Sequence, residues 1–169
     1  MALLAGQKIV VSEKRLIDQL RQKGFGEPKQ KQLILDLREA LFLLEKQKLE
    51  LQDADGKEVS EEALLKFASK KEKNFFSKFL VFRDLREKGY CVKTGFKFGF
   101  DLRVYPRGKK PGEEHTQWVI KVAEQSERFS MPEYSRMVRI AQNLHTMLLI
   151  AIVDAEGDIN FYEAKRVLP

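Results

Sequence analysis

The segment Gly89-Tyr90-Cys91-Val92-Lys93-Thr94-Gly95-Phe96-Lys97-Phe98-Gly99-Phe100-Asp101, running on through Arg103-Val104-Tyr105 to Glu114-His115, decides the architecture. Gly89 closes a helical stretch, Phe75 to Lys88, in the manner of a C′ glycine. Beyond it Phe100, Leu102 and Val104 alternate with Asp101, Arg103 and Tyr105, the period of a half-buried strand whose polar face carries the tyrosine. From Thr116 to Val122 the set Trp118, Ile120 and Val122 points to a core. Pro132 suits the first turn of a helix with Met137, Ile140, Ala141 and Leu144 as its buried stripe. Met147 to Val153 is continuously apolar, so it reads as an inner strand covered on both faces. Asp154 to Asp158 then turns into a last strand, Ile159 to Arg166. This half reads helix, three strands, helix, two strands.

Toward the N-terminus the pattern is different. Residues 2 to 11, ending in Ile9-Val10-Val11, read as one strand, and Ser12 caps a helix carrying Leu16, Ile17 and Leu20 as far as Gly24. Gly26-Glu27-Pro28 is turn chemistry. A strand at Gln32 to Leu35 leads to Asp36, the cap of a helix with Leu37, Leu41 and Leu44 at helical spacing. Leu49-Glu50-Leu51 is a strand, followed by a turn at Asp53-Ala54-Asp55-Gly56. Ser60 caps a helix with Leu64, Leu65, Phe67 and Ala68, which a polar patch, Ser69 to Asn74, interrupts. The expected fold class is α/β in the α+β sense. A small mixed N-terminal domain takes residues 1–72; a C-terminal domain, residues 73–169, has a central mixed sheet flanked by helices.

The chain has 169 residues and a net charge of +6, which permits binding to a phosphate backbone without demanding it. Cys91 is the only cysteine, so there is no intrachain disulfide and no thiolate metal cluster. Two histidines, His115 and His145, cannot build a zinc site of the usual spacing. No run approaches the roughly 20 apolar residues of a membrane span, and the apolar stretch near Met1 is too short for a signal peptide. A soluble, cytoplasmic protein with no membrane partner is expected.

The Gly-aromatic-x-Val-Lys-x-Gly-x-Lys-Phe-Gly opening, the Arg103-Val104-Tyr105 strand end, the polar loop and His115 resemble the catalytic domain of the archaeal tRNA-splicing endonucleases. These enzymes cut introns out of precursor tRNA. Val138-Arg139-Ile140-Ala141-Gln142-Asn143 and Ala151-Ile152-Val153-Asp154-Ala155-Glu156-Gly157-Asp158 extend the resemblance through the C-terminal half, and the first half follows more loosely. The resemblance implies a C-terminal nuclease domain that cuts bulge-helix-bulge RNA and leaves 2′,3′-cyclic phosphate and 5′-hydroxyl ends. It implies no metal and no organic cofactor.

Metal-free RNA cleavage uses the substrate's own 2′-hydroxyl as nucleophile. It needs a base, an acid for the departing 5′-oxygen and a cation near the phosphorane. By resemblance Tyr105 matches the family's base and His115 its acid, a task an imidazole suits. A tyrosine needs a neighbouring cation to serve as base, and Arg103 and Lys97 are the candidates. The family's lysine, in a Val-Arg-Lys run, is replaced here by Leu144-His145-Thr146, so Thr146 stands at the cation position. Two readings stay open: a structural, RNA-gripping subunit that works beside a catalytic one, or an active subunit in which Lys97 or Lys121 supplies the charge. A stand-alone RNA-binding protein is a third.

The resemblance also places Arg139 and Arg166 against a flipped-out base. Guanidinium planes stack well on unstacked bases. Arg139 is expected on the helix face opposite the apolar stripe, pointing the same way as Thr146. The acidic loop Asp154, Glu156 and Asp158 would dock into a basic pocket of another subunit, giving a homo- or heterotetramer. A metal-dependent restriction-like nuclease fits poorly. Asp101 and Lys121 suit its Asp and Glu-x-Lys pattern, but Val119 occupies the Glu position.

Overall fold

The computed structural model describes residues 1–95, 99–113 and 115–169. Two compact units divide the chain, Met1–Phe76 and Ser77–Pro169, and the division falls in the first turn of a helix. Each carries a five-stranded mixed sheet.

In the first unit, β1 (Ala2–Ala5) and β2 (Lys8–Val11) form an antiparallel hairpin, where one continuous strand was expected. Gly6, at φ +63°, is the first central residue of the two-residue turn that a side chain would resist. Helix α1 (Lys14–Gln22) starts from Glu13 with no side-chain cap. The expected cap, Ser12, instead accepts a hydrogen bond from Gln32 Nε2 at 3.2 Å. Of the turn expected at Gly26-Glu27-Pro28 only Gly26 bends, at φ +71°, while Glu27 and Pro28 belong to the exposed edge strand β3 (Glu27–Lys29), a position where proline costs no ladder bond. It pairs with β4 (Gln32–Leu35).

Asp36 caps α2 (Leu37–Glu45) through a full capping box: its Oδ1 accepts the Glu39 N–H at 2.8 Å, and Glu39 Oε2 accepts the Asp36 N–H at 3.1 Å. Burial runs unbroken from Leu37 to Leu43, so α2 is the central helix of this unit rather than an amphipathic one. Its buried Arg38 pairs with Glu72. The strand expected at Leu49–Leu51 is shorter and later, β5 (Leu51–Gln52), and runs parallel to β1. Ser60 caps α3 (Glu61–Lys71) as expected, accepting from Ala63 N at 3.2 Å.

The second unit takes in all but the first two residues of α4 (Phe75–Glu87), and the turn after the helix carries Gly89 at φ +93°. Its sheet runs β10-β9-β8-β7-β6, with β6 (Cys91–Thr94), β7 (Leu102–Tyr105), β8 (Trp118–Glu124), β9 (Met147–Val153) and β10 (Ile159–Ala164). Only β8 and β9 are parallel, joined through α5 (Met131–Asn143). β8 buries both of its faces, Val119 and Ala123 on one and Ile120 and Val122 on the other, because it is the middle strand. Ser130 Oγ caps α5, with Pro132 one position inside it. Met137, Val138 and Ala141 pack into a core with Val119, Leu148 and Ile150. Leu144, expected in that stripe, is 38% exposed because the helix ends before it. β10 stops at Ala164, so Arg166 lies beyond the strand that was expected to hold it. No described helix is long and apolar enough to cross a membrane.

Candidate functional site

The end of α5 builds one side of a hollow. Asn143 is its last residue and Leu144 its C-cap. His145 follows at φ +54°, its N–H donating to Gln142 O at 3.0 Å, while Thr146 N–H donates to Ala141 O at 3.1 Å. These two bonds make a Schellman motif with a histidine in the left-handed position usually held by glycine. The chain turns there and enters β9, which runs beside β8. The resulting hollow, about 330 Å³, is lined by Arg103, His115, Val119, Leu144, His145 and Thr146 among others.

His115 lies exposed in the loop three residues before β8. Thr146 faces it from the other side, but its hydroxyl is committed. It donates to Thr116 O at 3.2 Å and Gln117 O at 3.1 Å, fastening the start of β9 to the loop that carries His115. Arg103 is held by a bond from its Nε to Thr94 O at 2.7 Å. No lysine is among the described residues lining the hollow.

Tyr105 does not line it. Only 5% exposed, the tyrosine pairs with Cys91 across β6 and β7. At Tyr105 the strand face expected to present it is covered. Continuing the strand registers by one step sets Gln117 between Tyr105 and Thr146, two strand spacings or roughly 10 Å apart. Arg103 shares the face of Tyr105, and Lys93 lies directly opposite Arg103, 7% exposed. Lys93 was not singled out from the sequence, although alternation along β6 places it there. Lys97 lies outside the described residues. Lys121 is turned elsewhere: its Nζ is 3.8 Å from Asp101 Oδ2, and Lys78 Nζ is 3.4 Å from Asp101 Oδ1. Asp101 Oδ2 also accepts the Val122 N–H at 2.7 Å. The Asp101 carboxylate is thus held by two lysines and a backbone N–H.

Arg139 and Thr146 do not share a site, contrary to the helical-wheel expectation, because the helix ends and the chain turns between them. Arg139 instead meets Arg166 in a second hollow, about 310 Å³, whose walls include Tyr134, Gln142 and Lys165. Both arginines are exposed. One aromatic ring and three cations converge there, a composition suited to a base with its phosphate. Tyr134 and Lys165 were not foreseen, and neither was His145. The only sequence signal for His145 was that it is one of two histidines and adjoins Thr146.

In the acidic loop, Asp154 Oδ1 accepts the N–H groups of Glu156 and Asp158, both at 2.9 Å. Asp154 is therefore half-buried turn machinery, while Glu156 and Asp158 are exposed.

Comparison with known proteins agrees across both units. The family model described as tRNA intron endonuclease, catalytic C-terminal domain, matches residues 75–161, and the corresponding N-terminal domain model matches residues 1–65. A tRNA-splicing endonuclease of Thermococcus onnurineus is 38% identical over 97% of this chain and 94% of its own length. Those of Methanothermobacter thermautotrophicus and Methanococcus vannielii are 38% and 35% identical, over 86% and 95% of this chain and 84% and 90% of their own lengths. With both halves matched in order and relatives aligned nearly end to end, this chain belongs to the tRNA-splicing endonuclease family.

Proposed function

We propose that the chain is a subunit of a tetrameric endonuclease that excises introns from precursor tRNA at bulge-helix-bulge sites in the cytoplasm. Cleavage needs no metal. The 2′-oxygen attacks phosphorus, the P–O5′ bond breaks, a base takes the 2′-hydroxyl proton and an acid returns one to O5′. The products carry a 2′,3′-cyclic phosphate and a 5′-hydroxyl. Tyr105 occupies the base's position in the family pattern, His115 the acid's and Thr146 the cation's.

Within the assembly this chain is the RNA-gripping, structural subunit. The observation that carries this reading is Thr146, whose hydroxyl is spent on two backbone carbonyls and which has no charge to offer the phosphorane. The 95% burial of Tyr105, the complement of its 5% exposure, points the same way, since it leaves a 2′-hydroxyl little surface to approach. Arg139 and Arg166 grip an extruded base, and Glu156 and Asp158 dock into a basic pocket of a neighbouring subunit, with Asp154 holding the loop in shape. An active subunit is the second reading, favoured by Arg103, whose guanidinium puts a cation on the same hollow as His115.

Cleavage of a bulge-helix-bulge RNA by the purified chain alone separates the two. Thr146→Lys is expected to raise the rate by on the order of 10²–10³, the usual worth of a preorganised electrostatic group. EDTA is expected to leave the rate unchanged. A native chain that alone cuts as fast as the lysine variant is a catalytic subunit.

A further inference from the structure

We propose that His145 is a phosphate-contacting residue, which joins His115 across the hollow to hold one phosphodiester of the RNA. The inference rests on the reading of this protein as an RNA-gripping endonuclease subunit, and it holds whether or not this chain cuts.

Three observations carry it. The chain has two histidines, 30 residues apart in sequence, and both line the same hollow of about 330 Å³. Nothing in the periodicity of α5 or β8 requires that meeting; it arises because the Schellman turn swings His145 over the start of β9, beside the loop of His115. Arg103, anchored through its Nε on Thr94 O, lines the same hollow. None of the described lining residues is acidic. Two imidazoles and a guanidinium facing one cavity make a donor set matched to phosphate oxygens.

The second observation is backbone cost. His145 sits at φ +54°, in the left-handed region where a Cβ is disfavoured and glycine is the usual occupant of the C′ position. Among the described residues it is the only non-glycine of the Ser77–Pro169 unit with a positive φ. The third is that the ring gives the fold nothing in return. It is exposed, and among the described residues it has no hydrogen bond, ion pair or ring contact. A strained residue with an unengaged polar ring aimed at a cavity is the pattern of a binding residue rather than a packing one.

The test uses the full chain and a bulge-helix-bulge RNA made uncleavable by 2′-deoxy sugars at both cut positions. With only two histidines, the imidazole Hε1 signals in the NMR spectrum report on each ring separately. Addition of the RNA is expected to move both. His145→Gly is expected to weaken RNA binding about tenfold, the order expected for one charge-assisted hydrogen bond. Its melting temperature should be equal to or above that of the native chain, because glycine relieves the left-handed strain. Loss of binding together with a more stable fold cannot come from unfolding. Unchanged affinity in His145→Gly while Arg139→Ala still weakens binding, or movement of the His115 signal alone, overturns the role of His145 and leaves the RNA-gripping reading standing. A native chain that does not bind this RNA overturns both.

Discussion

Asp53-Ala54-Asp55-Gly56-Lys57 in the first unit and Asp154-Ala155-Glu156-Gly157-Asp158 in the second adopt the same turn, bond for bond. Asp53 Oδ1 accepts the N–H groups of Asp55 and Lys57 at 3.0 and 2.9 Å, as Asp154 Oδ1 accepts those of Glu156 and Asp158. The first and last residues close on each other through backbone bonds of 2.8 Å from Asp53 N and 3.0 Å from Asp154 N. The glycines sit at φ +81° and +86°. What differs is the load each turn carries. The first holds a single bridge, Gln52 to Glu58, and ends in lysine, for a net charge of −1 from two acids and one base. The second closes the six-pair β9–β10 hairpin and carries three acids, a net −3. The aspartate and glycine that the two share are therefore explained by folding alone. The side chains of Glu156 and Asp158 accept none of the turn's hydrogen bonds, so the proposed docking rests first on them.

Paired substitutions in the two turns probe this division. The largest effect is expected for the surplus charges. Glu156→Gln with Asp158→Asn should shift the assembly from tetramer toward dimer in sedimentation at moderate salt, since a docked carboxylate removed from its basic partner costs about 2–5 kcal/mol. Asp55→Asn in the other turn should leave the mass unchanged. Equal masses for all three proteins across concentrations would erase the functional difference between the turns.

Next in size is the shared acceptor. Asp53→Ala and Asp154→Ala should each cost about 2 kcal/mol in urea unfolding, because each strands two backbone N–H groups. A cost at Asp154 well above that at Asp53 would show a further task for Asp154.

The smallest effect is expected at the glycines. Gly56→Ala and Gly157→Ala should each cost about 1 kcal/mol through left-handed strain. A Cβ meets nothing within 4 Å at Gly56 and only Leu80 Cδ1 at 3.5 Å, ordinary contact, at Gly157. Similar unfolding midpoints for the two variants would confirm that strain, not packing, sets the cost.

The same contrast between local and distant bonding explains what could be read in advance. Asp36 and Ser60 were legible as helix caps because the N–H each accepts is three residues away. Ser12 looked like a third cap and is not one, since its hydroxyl accepts from Gln32, 20 residues on, and no local rule sees that partner. Residues 2 to 11 were read as one strand although Gly6-Gln7-Lys8 interrupts their apolar run, and the hairpin turn there is the local signal that reading passed over. Arg139 and Arg166 were named for one task from the family resemblance, and the structure brings them to one hollow even though Arg166 is outside the strand expected to carry it.

The sequence by itself determined which chemistry is on hand: one threonine where the family has a lysine, two histidines, one cysteine, and a resemblance strong enough to name the family. Side-chain chemistry of that kind does not depend on the fold. Tertiary structure decided which groups meet. It buried Tyr105 two strands from Thr146, spent the Thr146 hydroxyl on the loop of His115, tied Lys121 to Asp101, and swung His145 into the hollow that holds His115. Those meetings depend on the register of β7, β8 and β9 and on where α5 stops. Both are set by core packing among residues far apart in the chain, so no local pattern encodes them.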